Sequence, residues 1–305
     1  MKLQAKNYFK NFIAFFVSLF LLVFLFYKID VKKIIEVLSK SNLTLIFLAI
    51  AISLSINIFF GAYKWRKILC VLDYRLSYWE ALIIRSGFLP FKIISPLKSS
   101  ELIKAFWLNK KKDIEFGKAL SSLLFDRILN LLVTIGIFLI ALVLTRLQIS
   151  YFFIFFLFFG MVSFLLFNRL RDAILNIVKK IHLKLYEFVE QLFSSFNETS
   201  LKEKILLLFY SIIYQFSEFL NTYILFLAVG VRIPILAILL YTPIVMIVNQ
   251  LPISILGLGT REALLVFLFS KFGPISSLLG GGLLISLIEH ILPVVFGLFF
   301  IRKLI

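Results

Sequence analysis

One predicted membrane-spanning helix, residues 205–229, carries polar side chains at spacings that place them all on one face. Glu218 lies near the middle of this face, and a charged group at mid-bilayer costs about 2.5–3.5 kcal/mol on insertion scales. The face can be the wall of a substrate path in which Glu218 titrates or binds a cationic group, or it can join helices through hydrogen bonds. The carboxylate favours the substrate path, because hydrogen bonding between helices rarely needs one. The face comprises Ser211, Tyr214, Gln215, Glu218, Asn221 and Thr222.

Charged side chains in the other predicted helices also need partners. Asp126 and Arg127 are neighbours in the span 119–144, and neighbouring helical residues point about 100° apart, so they cannot pair with each other. Each ion pair can either fix the fold or present a cation to a bound ligand. His290, beside Glu289, can shuttle a proton or simply pack, and packing is the favoured interpretation. The expected pairs are Arg127 with Glu101 or Glu218, and Arg261 with Glu289 or Asp126.

Two apolar stretches, 78–94 and 251–272, do not fit simple spans, because glycine, proline and charged residues interrupt them. Backbone that is not helical at membrane depth is tolerated only where protein buries it or where it lines a wet cavity. We therefore predict two re-entrant or broken helices.

The two broken stretches are similar to each other, since residues 96–101 lie over residues 257–262 without a gap. Each is followed by an apolar helix, a short polar gap and a long span, which predicts internal repeat elements at 87–144 and 249–300. Paired Gly/Pro-interrupted segments are the best sequence pointer to a transporter binding site. Broken helix ends expose N–H groups and a positive dipole end toward an anion.

These features predict a substrate site inside the membrane, with basic residues for an anionic group such as a phosphate and carboxylates that hold the basic residues or bind a cationic group. Arginine suits two-pronged phosphate contact. Asp126 and Glu289 belong to the set as alternative partners of Arg261. The expected phosphate contacts are Lys98, Arg127 and Arg261, and the expected carboxylates are Glu101, Glu218 and Glu262.

Composition requires an apolar solvent for these elements. Of the 305 residues 61% are hydrophobic and 16% charged, against about 45–50% and 25% in soluble domains, which excludes a soluble enzyme and a disordered chain. The net charge of +17 belongs to basic loops between apolar runs, so we predict no nucleic-acid partner. One predicted basic loop follows the second span and contains Lys64, Arg66, Lys67 and Arg75. One cysteine and two histidines exclude a disulfide and the usual zinc sites. No catalytic motif, metal or cofactor site is predicted.

The architecture predicted from the apolar runs is an all-α, multi-pass membrane protein with about seven or eight transmembrane helices in one integral membrane domain, residues 1–305. We expect the protein to lie in the cell membrane. Its N-terminus is expected in the cytoplasm, because Lys2, Lys6 and Lys10 precede the first run. The helical spacing of apolar residues predicts that residues 168–204 form an amphipathic connecting segment. The predicted spans are 11–27, 43–62, 119–144, 151–167, 205–229, 235–249 and 275–300.

Three blocks, residues 96–105, 119–132 and 251–263, carry a resemblance to a known family. The third, LPISILGLGTREA, is the most specific. The chain resembles the flippase-like transmembrane family that includes the membrane domain of lysylphosphatidylglycerol synthase, the multiple peptide resistance factor. It departs from that pattern at Ser100, where glycine is usual, at Lys98 and Lys104, where arginine is usual, and at Leu256, within a usual glycine pair.

The resemblance implies a lipid translocase whose cargo is an aminoacyl-phospholipid or a polyprenyl-phosphate lipid. The full-length synthases also carry a soluble aminoacyl-transfer domain, and no polar segment among these residues is long enough to be one. Two alternatives stay open: a membrane-embedded lipid-modifying enzyme of the synthase type, and a membrane anchor for a separate partner transferase. The expected ligand is in each case a membrane lipid.

Overall fold

The computed structural model describes residues 31–94, 100–145, 179, 190, 200–250 and 257–304. Within these residues the chain forms helices joined by turns and contains no strand, which confirms an all-α polytopic membrane protein. Four helices are long and apolar enough to cross a membrane, and a fifth apolar helix is shorter. The predicted spans 11–27 and 151–167 lie outside the described residues, as does most of the segment 168–204, so the total of seven or eight stays a prediction.

The helices are numbered in chain order. They are α1 Val31–Ser39, α2 Leu43–Val71, α3 Tyr78–Gly87, α4 Phe91–Ile94, α5 Ser100–Lys112, α6 Phe116–Leu144, α7 Leu201–Ala228, α8 Ile235–Gln250, α9 Thr260–Phe269 and α10 Ile275–Ile301. The four long apolar helices are α2, α6, α7 and α10.

Local sequence signals explain where several helices begin. The Asn42 side chain accepts a hydrogen bond of 3.2 Å from the Leu45 N–H and so caps α2. A serine followed three residues later by glutamate begins both α3 and α7, at Ser77 and Ser200, with reciprocal hydrogen bonds between side chains and backbone.

The helix α2 is longer than predicted, because it continues from residue 62 to Val71. Residues 62–71 contain no glycine or proline, and the helix ends shortly before Asp73, which has a left-handed φ of 63°. Two of the long helices also contain a turn of π-helix: Leu54–Phe60 within α2 and Leu287–Ile291 within α10.

The described helices group into two compact units. Unit 1 packs α1 onto α10 through Ile34 and Leu279, both buried. Gly281 of α10 lies so close to Phe226 that a Cβ there would meet the ring at 2.8 Å. The run of three glycines at 280–282 therefore permits close helix contact. Among described residues unit 1 contains 31–62, 82–94, 100, 214–250 and 257–304.

Unit 2 contains, among described residues, 63–81, 101–145, 179, 190 and 200–213. Its apolar core joins Ile68 of α2 and Leu72, which follows α2, to Phe125 and Leu129 of α6 and to Leu207 of α7. The single domain over 1–305 and the repeat elements 87–144 and 249–300 stay predictions.

Both predicted broken stretches are interrupted at those of their glycine and proline residues that the structure describes. In the first, α3 ends at Gly87 and a turn leads to Pro90 before α4 begins. In the second, Gly257 and Gly259 have φ values of +78° and +83° and precede α9. L-residues with a Cβ rarely adopt these values, which is why glycines stand there.

Candidate functional site

The start of α9 is built by the motif Gly257-Leu258-Gly259-Thr260-Arg261-Glu262. Glu262 is fully buried, and its Oε2 accepts the Gly259 N–H at 2.6 Å, so the carboxylate caps its own helix. The Thr260 hydroxyl donates to the Gly257 carbonyl oxygen at 3.0 Å and holds the turn.

Arg261 is also buried, with 3% of its surface exposed. Its Nη1 donates to the Ser286 hydroxyl at 2.8 Å, and that hydroxyl donates to Glu262. A Cβ on Gly257 would lie 2.8 Å from Nη2, so the guanidinium rests directly against that backbone. Protein groups therefore surround Arg261, and the Glu218, Glu262 and Glu289 charges all act on it.

Glu289 lies in the π turn of α10 and joins three helices of unit 1. Its Oε2 accepts hydrogen bonds from Asn57 Nδ2 and, at 3.4 Å, from the Ser53 hydroxyl, both on α2. Its Oε1 accepts a hydrogen bond from Asn221 Nδ2 of α7. Asn57 itself lies in the π turn of α2, so the two irregular turns meet at this carboxylate.

The polar face of α7 forms hydrogen bonds to a neighbouring helix and within α7 itself. Asn221 is fully buried and also donates to the Ala49 carbonyl oxygen at 3.1 Å, so it links α7 to α2. Ser211 and Thr222 instead donate to carbonyl oxygens one turn back in their own helix. Glu218 is half-buried on the same face, one turn after Tyr214, whose ring lies 5.8 Å from the Arg85 guanidinium.

In unit 2 a lysine that the sequence assigned to a loop is buried. Lys64 has 1% of its surface exposed, and its Nζ lies 3.0 Å from Asp126 Oδ1 and donates to Asn130. The assignment of Lys64 to a basic loop after the second span is wrong, because α2 continues past it. Asp126 is accordingly the partner of a buried cation.

The predicted pairing of Arg127 with Glu101 is present. Arg127 Nη2 lies 3.0 Å from Glu101 Oε1, and 40% of the arginine side chain is exposed. Lys104 lies 3.4 Å from the other oxygen of Glu101 and 5.0 Å from the centre of the Trp65 ring. Glu101 is therefore shared by two cations, one buried and one accessible.

The structure thus distributes the predicted site residues over two clusters. Unit 1 holds Glu218, Arg261, Glu262 and Glu289, and unit 2 holds Glu101, Asp126 and Arg127. Lys98 lies outside the described residues. The functional candidates that sequence reasoning missed are Asn57, Asn221 as a Glu289 partner, and Lys64. A possible signal for Asn57 was its polarity within an otherwise apolar run.

Comparison with known proteins identifies a family and a similar protein. The family model described as the lysylphosphatidylglycerol synthase TM region matches residues 11–297. A UPF0104 membrane protein of Methanocaldococcus jannaschii is 25% identical over 295 residues, which cover 88% of this chain and 87% of the relative.

Proposed function

We propose that this chain, which belongs to the lysylphosphatidylglycerol synthase TM-region family, is a flippase-like lipid translocase. A lipid phosphate binds a cation at membrane depth while the acyl or prenyl chains stay in the bilayer. The cargo is a phospholipid or a polyprenyl-phosphate lipid, and the protein acts in the cell membrane with its N-terminus in the cytoplasm.

The observation that carries the proposal is the accessible Arg127 guanidinium. Arg127 is the twelfth of 29 residues in α6, so it lies about 16 Å along a helix of membrane-spanning length. A cation at such a depth is expected to pair or to face a cavity. The contact with Glu101 uses Nη2 alone, and two-fifths of the side chain is accessible.

The neighbours of Arg127 suit a phosphate site. Glu101 holds the guanidinium in place, as a carboxylate does when it fixes an arginine for a ligand. Lys104 adds a second positive charge beside Glu101 and lies over Trp65. Asp126 is the counter-ion of Lys64, so its proposed contribution is to keep α6 in position and not to touch the headgroup.

The buried cluster of unit 1 has a different proposed role. Arg261 and Glu262 fix the turn before α9, since Glu262 accepts the Gly259 N–H and Arg261 donates to the Ser286 hydroxyl. Glu218 is the half-buried carboxylate of the polar face and is the proposed contact for a cationic part of a headgroup. Lys98 precedes α5 in sequence and is a further proposed phosphate contact.

The test is lipid movement in vesicles that contain the purified full chain and a fluorescent phospholipid in both leaflets. Chemical quenching from outside measures how fast inner-leaflet lipid becomes accessible. We expect Arg127→Gln to reduce movement strongly and Arg127→Lys to reduce it partly, because an ammonium lacks the planar fork. Arg302→Lys, at the exposed end of α10, is the matched control and should keep the wild-type rate.

Two results would contradict the proposal. One is movement at the wild-type rate in Arg127→Gln. The other is a new lipid species, found by mass spectrometry after incubation, in place of a change of leaflet, since that would indicate a lipid-modifying enzyme. Co-purification of a transferase with an inactive wild type would support the anchoring alternative instead.

A further inference from the structure

We propose that the Glu289 carboxyl is a proton-binding site, and that uptake and release of its proton accompany lipid movement. The second half of this statement rests on the proposed translocase function. The first half is a property of unit 1 alone and can be tested without any lipid movement.

The position of Glu289 is unusual for a structural carboxylate. It lies in the π turn Leu287–Ile291 and contacts Asn57 in the π turn Leu54–Phe60. Single π turns inside α-helices occur frequently at functional sites. Two such turns from separate long helices meet here at one ionisable side chain.

The direct partners of Glu289 are all neutral. They are the amide nitrogens of Asn57 and Asn221 and the hydroxyl of Ser53. Among the described residues no lysine, arginine or histidine nitrogen forms an ion pair with this carboxylate, and the Arg261 charge acts on it from a greater distance. An intramembrane carboxylate ordinarily has a cation as partner, so a proton can take that role here.

The same cluster also contains acceptors for that proton. The Oδ1 atoms of Asn57 and Asn221 are buried and accept no hydrogen bond from any described residue. A proton from water that bonds to a Glu289 oxygen converts that oxygen into an O–H donor. Rotation of one amide then presents its Oδ1 to this donor, and release of the proton to water restores the arrangement in the structure.

Protonation of Glu289 changes the hydrogen bonds that connect α2 and α7 to α10. In the ionised state Glu289 accepts hydrogen bonds from α2 and from α7 and so ties both helices to α10. When an amide turns its oxygen toward the proton, its nitrogen leaves the carboxylate. For Asn221 the rotation also breaks the hydrogen bond to the Ala49 carbonyl oxygen, which is one of the links between α7 and α2.

The other charged groups around this site do not replace Glu289. Arg261 and Glu262 on α9 are joined through Ser286. Glu218 on α7 is half-buried, and His290 adjoins Glu289 on α10. The part of α2 in unit 1, residues 43–62, contains no titratable side chain. Glu289 is thus the carboxyl placed among neutral donors from two other helices.

The test is infrared spectroscopy of the purified full chain in lipid nanodiscs, titrated with acid. We expect the C=O band of a protonated carboxyl to grow as the pH falls, and a component of it to be missing in Glu289→Gln. Glu36→Gln, at an exposed carboxylate of α1 that pairs with Lys40, is the matched control and should keep that component. An identical titration in Glu289→Gln and wild type overturns the proton site.

Lipid movement measured over the same pH range tests the coupling. Wild type should depend on pH, and Glu289→Gln should lose that dependence, whereas equal pH profiles overturn the coupling. If wild type moves no lipid at any pH, the proposed function fails while the infrared result still decides the proton site. If Glu289→Gln does not fold, Glu289→Asp keeps a carboxyl and must shift the band component, and an unshifted component overturns the proposal.

Discussion

Replacement of Asp126 by asparagine should destabilise the protein strongly, because it removes the charge opposite a buried lysine. Lys64 has 1% of its side chain exposed and lies 3.0 Å from Asp126 Oδ1. Removal of one partner from a buried ion pair costs about 3–5 kcal/mol. Lys64 keeps its hydrogen bond to Asn130, so we expect the lower end, about 3 kcal/mol, which is roughly a 150-fold change in the unfolding equilibrium.

Two further variants separate the pair from its surroundings. Lys64→Met alone should cost less than Asp126→Asn, about 1–3 kcal/mol, because the carboxylate that it leaves is 14% exposed whereas Lys64 is 1% exposed. Lys64→Met combined with Asp126→Leu removes both charges and should be more stable than Asp126→Asn, since apolar replacement of a buried pair is often neutral. Unfolding in mixed micelles of increasing dodecyl sulfate content, followed by circular dichroism, measures all four proteins.

Two outcomes would refute this reasoning. Asp126→Asn could be as stable as wild type, which would mean that water or another group satisfies Lys64. The double variant could be no more stable than Asp126→Asn, which would mean that the charges are not coupled. Lipid movement in the double variant gives separate information: if this variant folds but moves no lipid, Lys64 or Asp126 contributes to lipid movement beyond keeping α6 in position.

Three further predictions concern other parts of the chain. Gly257→Ala should lower thermal stability by more than about 1 kcal/mol, because φ is +78° and the added Cβ would meet a guanidinium nitrogen at 2.8 Å, whereas Gly136→Ala, with nothing within 4 Å, should not lower it. Glu218→Gln should keep the fold and reduce lipid movement, and an unchanged rate across pH would favour a purely structural polar face. The hydrogen bond from Lys112 lowers the pKa of Glu80 to about 2 from 4.5. Glu80→Gln should therefore reduce stability at neutral pH by less than about 1 kcal/mol, since Glu80 is 40% exposed, and the difference from wild type should disappear as the pH falls from 4.5 toward 2.

The sequence predicted those features that depend on local pattern. Apolar length located α6, α7, α8 and α10, because a membrane-spanning helix must be almost continuously apolar. Glycine and proline located both interruptions, since these residues break helices or adopt conformations closed to others. The small number of charges at membrane depth limited the expected partners of Arg127 to Glu101 or Glu218, and the structure shows the pair with Glu101.

Lys64 shows where pattern reasoning failed. A run of basic residues after an apolar stretch is typical of a cytoplasmic loop, and Lys64, Arg66 and Lys67 form such a run. The helix nevertheless continues, and its geometry turns Lys64 inward and leaves the other two only half-buried. The deciding factor is Asp126, which is 62 residues away in sequence and which only the tertiary structure brings to Lys64.

The π turns could not be read from the sequence for a similar reason. Their residues, LSINIFF and LIEHI, have no glycine or proline to mark an irregular turn. A π turn is stabilised by what its side chains reach, here Asn57 and Glu289 from opposite helices. Neither residue type predicts such a turn until its partner is known.

Glu101 and Glu262 each lie in the first turn of a short helix, but their contacts differ. In unit 2 Glu101 is tied to Arg127, 26 residues later, and the arginine stays accessible. In unit 1 Glu262 is tied to Ser286, 24 residues later, and the adjacent arginine is buried. An accessible guanidinium can bind an anion, whereas a buried one sets the electrostatic field around a carboxyl such as Glu289.

The two clusters should therefore respond to different variables, and this separates them experimentally. Arg127→Lys should raise the lipid concentration needed for half-maximal movement, because it weakens phosphate contact, and should leave the pH midpoint unchanged. Glu289→Gln should abolish the pH dependence and leave that lipid concentration close to wild type. If Arg127→Lys shifts the pH midpoint as much as it shifts the lipid concentration, phosphate binding and proton binding are not separate functions of these residues.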